Sequence, residues 1–187
     1  SIAINASTGV WSYNLDNSLN ATQALTQGET AIQTYTAQVS DGLGASATQT
    51  ITVTITGSND APVITTTTGQ NLGSVTEAGN TITGTASASG TLTATDVDAS
   101  PSQTWSIAGS PSTTYGSIAI NASTGVWSYN LDNDLAATQA LTAGQSVTQT
   151  YTAQVSDGLG ASATQTITVT ITGSNDAPVI KIGRAHV

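Results

Sequence analysis

The chain contains no cysteine, which excludes disulfide bonds and thiolate metal sites. Methionine and phenylalanine are absent as well. Long hydrophobic runs are also lacking: no apolar stretch approaches the roughly 18 residues of a membrane-spanning helix, so we expect no membrane insertion. Stability must therefore come from a packed core and from any metal that oxygen ligands bind.

Basic residues are almost absent from the sequence. Lys181, Arg184 and His186 are the only residues of their types, and all three lie in the last seven positions. The string KIGRAHV (181–187) resembles a translated sequencing adapter, so we interpret it as a non-native tail and exclude it from the fold. A natural basic C-terminus is the alternative.

The first 180 residues then carry all eleven acidic residues, nine Asp and two Glu, without a single base. We expect neither nucleic acid nor an anionic membrane surface as a partner, because binding to phosphates depends on Lys and Arg. Unpaired carboxylates repel one another and destabilise a compact state unless cations bind. A divalent cation is the expected ligand, and a merely acidic extracellular surface is the alternative.

The sequence also repeats itself over a long period. Residues 1–64 recur as residues 117–180 without an insertion, and the copies differ only at positions 18, 20, 27, 29, 30, 31 and 32 of the first. This spacing indicates a tandem array of whole domains rather than a short-period solenoid. We expect residues 1–63 to be the C-terminal part of one repeat and residues 64–180 to be a complete repeat. Pro62, which has no amide proton to donate to a sheet, marks the boundary.

Alternation of apolar and polar residues predicts β-strands. Within residues 48–56, Ile51, Val53 and Ile55 alternate with threonines, which predicts one buried face and one hydrated face. The same pattern recurs at 164–172. About seven such strands over roughly 110 residues, with turn signals between them, predict an all-β, immunoglobulin-like antiparallel β-sandwich.

An upstream hairpin is predicted by residues 2–4 and 10–15, which flank a Ser-Thr-Gly turn. In its second strand, Trp11, Tyr13 and Leu15 share one face, because alternate residues of a strand point to the same side. We expect these three side chains to fill the core.

Four motifs, in this order and spacing, resemble the VCBS repeat of giant bacterial surface proteins: TLTATDVDAS (91–100), YGSIAINASTGVWSYNLDN (115–133), SDGLGASA (156–163) and GSNDAPVI (173–180). VCBS repeats resemble the cadherin-like modules of RTX-type adhesins, so the resemblance implies cadherin-like sandwiches in tandem. It also implies type I secretion to the bacterial cell surface, a long stalk with calcium-stiffened junctions, and a role in cell adhesion or biofilm attachment.

The sandwich topology is expected to bring distant acidic residues together. Asp96 and Asp98 follow the second strand of the complete repeat, and Asp157 lies between its sixth and seventh strands. Both loops belong to the end where the chain enters, beside Asn59 and Asp60 of the preceding linker. We expect these side chains to bind Ca²⁺, which takes six to eight oxygen ligands, rather than Mg²⁺, which retains its waters.

Five further residues complete the expected calcium ligands. Asp16 follows the fifth strand of the partial repeat and is expected at the same junction. Glu77, Asp132, Asn175 and Asp176 are expected to form half of the next junction, with a neighbouring repeat of the same chain as the partner. The alternative for each aspartate is an ordinary turn, because Asp and Asn accept hydrogen bonds from nearby backbone amides.

One other class of function stays open at this point. In this alternative, the sandwich is a module that binds surface carbohydrates or proteins, and any bound calcium is incidental to that binding. An exposed cluster of tryptophan or tyrosine on a sheet face would favour this function. An enzyme is not expected, because without His186 the chain has no imidazole base to activate a nucleophile.

Overall fold

The computed structural model describes residues 1–99 and 102–178, so the tail at 181–187 lies outside the described residues. None of the described helices is long and apolar enough to span a membrane. The first copy of the repeated sequence contains β1 (Ile2–Ile4), β2 (Trp11–Tyr13), α1 (Asn20–Gln23), β3 (Thr30–Ser40) and β4 (Ser46–Thr56). The chain continues with β5 (Val63–Ile64), β6 (Leu72–Thr76), β7 (Ser87–Thr91), β8 (Ala94–Thr95), β9 (Thr104–Ile107), β10 (Gly116–Ile120), β11 (Val126–Leu131), α2 (Ala136–Gln139), β12 (Ser146–Ser156) and β13 (Ser162–Thr172).

Residues after the linker form a β-sandwich of two sheets. One sheet has the strand order β6-β13-β12-β9 and the other has the order β10-β11-β7, so seven strands build the sandwich. The strands β12 and β13 form a long antiparallel hairpin, in register from Ser146↔Thr172 to Ser156↔Ser162. The strand β6 is the exception to the antiparallel pattern, because it runs parallel to β13. The predicted all-β sandwich is therefore confirmed, with one parallel pair added.

The core of this sandwich lies between its two sheets. Trp127 and Tyr129 of β11 and Ile167, Val169 and Ile171 of β13 belong to one cluster, and each of them is 0% exposed. Alternate residues of both strands enter the cluster, as expected for strands with one buried face. Burial of each such side chain stabilises the fold by about 1.5–3 kcal/mol relative to leaving it exposed.

The turn between β10 and β11 depends on a glycine. Gly125 has a φ of +67°, a left-handed conformation that other residues rarely adopt. A Cβ atom at this position would lie 2.3 Å from the carbonyl oxygen of Leu92, so even alanine would clash with backbone. Its counterpart Gly9 has a φ of +69°, but an added Cβ atom there would meet nothing within 4 Å.

The first copy forms both predicted hairpins, β1–β2 and β3–β4, but its apolar face is open. Trp11 and Leu15 are each 45% exposed and Tyr13 is half-buried, so the prediction that these three fill a core is wrong for this copy. Their counterparts Trp127 and Tyr129 are 0% exposed. The difference arises because β7 widens one sheet of the second copy, and β6 and β9 widen the other. Among the described residues, no equivalent strands extend the first copy.

Candidate metal centre

The linker between β4 and β5 contacts two loops of the sandwich. The side-chain amide of Asn59 donates a hydrogen bond from Nδ2 to Oδ2 of Asp157, at 2.7 Å. The backbone N–H of Asp60 donates to Oδ2 of Asp98, at 2.9 Å. The next proline, Pro62, is buried. Residues that lie up to 98 positions apart in the sequence therefore meet at the end where the chain enters the sandwich.

The loop between β12 and β13 is organised around Asp157, which is only 3% exposed. Its Oδ1 accepts hydrogen bonds from the backbone N–H groups of Leu159, Gly160 and Ala161, at 2.8, 3.1 and 3.1 Å. The hydrogen bond from Asn59 lowers the pKa of the Asp157 carboxyl, burial opposes this effect, and the three backbone donors lower the pKa further. The side chain is therefore a carboxylate at neutral pH.

The loop after β8 carries the Asp-x-Asp pair. The backbone N–H of Asp98 donates to Oδ1 of Asp96 at 3.1 Å, which closes a tight turn of the kind that aspartate favours. Asp98 is 5% exposed and Asp96 is half-buried. Asp98 is thus held by the linker and Asp96 by the backbone of its own turn, each through one of its two side-chain oxygens.

The remaining oxygens of this group are buried without a hydrogen bond from any described residue. They are Oδ1 of Asn59, Oδ2 of Asp96 and Oδ1 of Asp98. Leaving a buried acceptor unsatisfied costs about 1–3 kcal/mol, and more for a charged group. Amide and carboxylate oxygens are the ligand types that a hard cation such as Ca²⁺ prefers. The chemistry of these oxygens therefore fits the metal that the sequence predicts.

A cavity of about 290 Å³ adjoins these residues. Its lining combines both parts of the chain: Thr26, Gln27, Asn59, Asp98, Ala99, Ser102, Asp157 and Leu159. The backbone also crosses the junction, because the N–H of Ala99 donates to the carbonyl oxygen of Ala24 at 3.1 Å. The candidate site therefore lies between the first copy and the sandwich.

Two observations qualify the expected ligand set. Within residues 1–99 and 102–178, no three acidic side chains are gathered into a ready-made metal-binding group. Asp16 is exposed, and its Oδ1 accepts hydrogen bonds from the N–H and the hydroxyl of Ser18, which lower the pKa of its carboxyl. The oxygens that the structure leaves free at the junction belong instead to the linker amide and the Asp-x-Asp pair.

The opposite end of the sandwich is built around a buried glutamate. Glu77 is 0% exposed, and its Oε2 accepts a hydrogen bond from the backbone N–H of Ser174 at 3.0 Å. Its Oε1 accepts from Nε2 of Gln139 at 3.2 Å. The hydroxyl of Ser174 is itself buried, and no hydrogen bond joins it to another residue of the described part of the chain. A carboxylate at the end of β6 is thus joined to the segment where the chain leaves the sandwich.

The other residues expected at this end are less enclosed. Asp132, Asn175 and Asp176 are exposed. The Oδ1 of Asp132 accepts from the backbone N–H of Asp134 at 2.9 Å, and Nδ2 of Asn175 donates to the carbonyl oxygen of Asp176 at 3.3 Å. Asp132 and Asp176 therefore lie in exposed segments. In the sequence, Asp176 is close to Ser174 and Asp132 precedes Gln139, the two residues that donate hydrogen bonds to Glu77.

The family model of the bacterial cadherin-like domain matches residues 59–173. The chain belongs to this family. Membership agrees with the β-sandwich described above. It indicates an adhesion-type extracellular module, and the family is not one of enzymes. No curated protein matches the chain.

Several solved cadherin structures are similar to this cadherin-like chain. Mouse cadherin-23 EC22-24 shares 17% identity over 93% of this chain and 49% of its own, with a TM-score of 0.45. Mouse clustered PcdhgC3 EC1-3 shares 16% identity over 92% of this chain and 51% of its own, with a TM-score of 0.45. Drosophila N-cadherin EC1-4 shares 16% identity over 81% of this chain and 35% of its own, with a TM-score of 0.44. The chain spans between a third and about half of the length of these proteins.

Sequence reasoning did not identify several polar residues at the two ends of the cadherin-like domain. Ser102 donates from its hydroxyl to the carbonyl oxygen of Asp157 at 2.9 Å. Oδ1 of Asn133 accepts from the N–H of Ala78 at 3.0 Å, next to Glu77. The signal for Asn133 was its place next to Asp132, which the sequence analysis singled out. Ser102 carried no such signal, because serine is common throughout this chain.

Proposed function

We propose that the chain is a spacer of a secreted bacterial surface adhesin, in which Ca²⁺ stiffens the junction between residues 1–63 and 64–180. The junction acts in cell adhesion or biofilm attachment by holding successive cadherin-like repeats in an extended rod. Type I secretion and the VCBS and RTX-type assignment belong to the same proposal, and the motifs quoted above support them.

One observation carries this proposal. Three buried oxygens near the junction, on Asn59, Asp96 and Asp98, accept no hydrogen bond from residues 1–99 and 102–178, and no basic residue precedes Lys181 to neutralise them. A bound Ca²⁺ would supply two positive charges to these oxygens and would reduce the repulsion between the carboxylates. Backbone carbonyls and water would complete its six to eight ligands.

The carbohydrate-binding alternative lacks support within the complete repeat. Trp127 and Tyr129 are 0% exposed, Trp105 is 5% exposed and Tyr151 is 4% exposed. These rings belong to the core and do not form an aromatic platform on a sheet face. Binding of a sugar by stacking would require such a platform.

The test is calcium titration of the full chain, by calorimetry and by small-angle X-ray scattering with calcium and with a chelator. We expect measurable binding heat and an increase in the maximum dimension with calcium. The substitution Asp98→Asn removes a charge but retains an acceptor for the N–H of Asp60, so it should weaken binding at least about tenfold without unfolding the loop.

A matched control exists in the first copy. Asp41 is the counterpart of Asp157, is exposed, and makes similar turn contacts through its Oδ1 to the N–H groups of Leu43 and Ala45. We expect Asp157→Asn to weaken calcium binding and Asp41→Asn to leave it unchanged. Identical scattering profiles with calcium and chelator, or equal losses from both substitutions, would contradict the proposal.

A further inference from the structure

The two copies differ from each other in one short part of the sequence. All seven positions that differ lie within residues 18–32 of the first copy, a segment that contains α1 and runs into the start of β3. Gln27, one of the seven, lines the cavity of about 290 Å³ at the junction together with Asp98. The part of the repeat that varies therefore borders the candidate metal centre.

The variable segment keeps its charge but changes the position of one carboxylate. Each copy has two acidic residues here: Asp16 and Glu29 in the first, Asp132 and Asp134 in the second. Gln145 replaces Glu29 in the second copy, and Asp134 replaces Ser18. The copies therefore differ in where the second carboxylate lies, and this segment has the same net charge in both.

The turn around position 29 does not require a charge. Oε2 of Glu29 accepts hydrogen bonds from the N–H and the hydroxyl of Thr26, both at 3.2 Å. The counterpart Gln145 accepts the same two hydrogen bonds from Thr142 through Oε1, at 3.1 and 3.4 Å. A neutral acceptor thus replaces the carboxylate of Glu29 with the contacts of the turn preserved.

The residue at position 18 determines what the carboxylate of Asp16 contacts. Oδ1 of Asp16 accepts hydrogen bonds from the N–H and the hydroxyl of Ser18, at 3.0 and 2.6 Å. Both donors lower the pKa of the Asp16 carboxyl, because they stabilise its charged form. A cation that binds this oxygen must therefore compete with the hydroxyl of Ser18.

The second copy has a carboxylate where the first copy has that hydroxyl. Oδ1 of Asp132 accepts the N–H of Asp134 at 2.9 Å, so the backbone contact is kept while the hydroxyl is lost. The same contact occurs in the loop after β8, where Oδ1 of Asp96 accepts the N–H of Asp98 at 3.1 Å. Asp132 and Asp134 thus form a second Asp-x-Asp pair with the local hydrogen bond of the pair at the candidate metal centre.

Contacts in the first copy connect Asp16 to the junction. The hydroxyl of Thr22 in α1 donates to the carbonyl oxygen of Asp16 at 3.0 Å, and the carbonyl oxygen of Ala24 accepts the N–H of Ala99 at 3.1 Å. Ala99 follows Asp98, which is 5% exposed and whose Oδ1 is buried without a hydrogen bond from the described part of the chain. The loop that carries position 18 therefore packs against the loop that carries this oxygen.

We propose that the residue at position 18 of the repeat sets the calcium affinity of the junction that follows it, an inference that rests on the function proposed above. Serine occupies the neighbouring aspartate and gives a weaker junction. Aspartate releases that oxygen, adds a second carboxylate and gives a tighter junction, because the affinity of a Ca²⁺ site depends on the number of its charged ligands. A stalk that contains both kinds of repeat then has junctions that stiffen at different calcium concentrations.

The experiment changes two positions of the first copy, in the full chain, to the residues of the second copy. Ser18→Asp combined with Glu29→Gln preserves the net charge, and the second copy shows that the local backbone accommodates both residues. Small-angle X-ray scattering during a calcium titration gives the concentration at which the maximum dimension has completed half of its increase. We expect this midpoint to fall by about tenfold in the double variant, because one more carboxylate binds the ion.

A second double variant is the matched control. Ser7→Asp combined with Glu29→Gln has the same net charge, but Ser7 lies in the turn between β1 and β2, at the other end of that hairpin from Asp16. The added charge is then remote from the junction and screened by salt, so the midpoint should stay within about threefold of that of the unmodified chain.

The possible outcomes separate this inference from the function on which it rests. An unchanged midpoint in the Ser18→Asp double variant, with a clear response of the unmodified chain, would overturn the role of position 18 alone. Equal shifts in both double variants would also overturn it, because the position of the carboxylate would not matter. If neither the unmodified chain nor the Ser18→Asp double variant responds to calcium, both proposals are wrong. A response of that variant alone would support the role of position 18 and contradict calcium binding by the unmodified junction.

Discussion

The two copies of the repeated sequence fold into the same hairpins but differ in what those hairpins bury. Trp11 is 45% exposed whereas Trp127 is 0% exposed, and Val39 is 68% exposed whereas Val155 is 0% exposed. The register of β3–β4 is identical to that of β12–β13, so formation of this hairpin depends on the sequence of each copy alone. Burial depends on residues 65–116, which join only the second copy. Identical residues therefore contribute very different free energies in the two places.

The acidic loops show the same contrast. The carboxylate of Asp157 is 3% exposed and contacts Asn59 across the junction, whereas Asp41 in the first copy is exposed. Both side chains accept backbone hydrogen bonds within their own turns. The contact with the linker thus distinguishes Asp157 from its counterpart Asp41 in this structure.

The largest expected difference between the copies concerns the tryptophans. Trp127→Ala should destabilise the sandwich by about 3–5 kcal/mol, because it removes a buried ring and leaves a cavity. Trp11→Ala should cost about 1 kcal/mol or less, since the ring is already half in solvent. Urea denaturation of both variants measures the difference, and similar losses of stability would show that the first copy also has a packed core.

A smaller difference is expected for the turn glycines. Gly9→Ala and Gly125→Ala both impose a left-handed conformation on a residue with a Cβ atom, at about 1–2 kcal/mol. Gly125→Ala should cost about 1–3 kcal/mol more, because the new methyl group would meet the carbonyl oxygen of Leu92. Thermal and chemical denaturation test this order. Equal effects would mean that the surroundings of Gly125 yield without cost.

The smallest effects are expected where the copies differ in sequence. Glu29 accepts from the N–H of Thr26 at 3.2 Å, and its counterpart Gln145 accepts from the N–H of Thr142 at 3.1 Å. The exchanges Glu29→Gln and Gln145→Glu preserve the acceptor at an exposed site, so each should change stability by less than about 0.5 kcal/mol. Amide hydrogen exchange at Thr26 and Thr142 should also stay unchanged. Faster exchange in either variant would show that charge matters in this turn.

Much of the fold could be predicted from the sequence, because its strands alternate cleanly. Ile51, Val53 and Ile55 predicted a strand at 48–56, and the structure has β4 at Ser46–Thr56. The sandwich followed from the number and spacing of such segments. The exposure of Trp11 could not be predicted in the same way. Burial of its ring requires partner strands, and a local sequence pattern does not reveal whether those strands are present.

One part of the candidate site could be predicted, because the order of the strands alone decides which loops lie close together. Asp98 and Asp157 lie in loops at one end of any immunoglobulin-like sandwich, so their meeting with the linker followed from the order of the strands. The specific pairing of Asn59 with Asp157, and the free oxygens that it leaves, depend on side-chain conformations that the sequence does not determine. Asp16 illustrates this limit, because a neighbouring serine binds its carboxylate.

The parallel pairing of β6 with β13 has a mechanical consequence. The strands are in register from Leu72↔Thr168 to Thr76↔Thr172, so the start of β6 and the end of β13 lie at opposite ends of this ladder. Tension that enters through β6 and leaves through β13 slides these strands past each other and loads all of their hydrogen bonds at once, in shear. A domain pulled in this direction does not unzip one bond at a time, and it yields only when the whole ladder breaks.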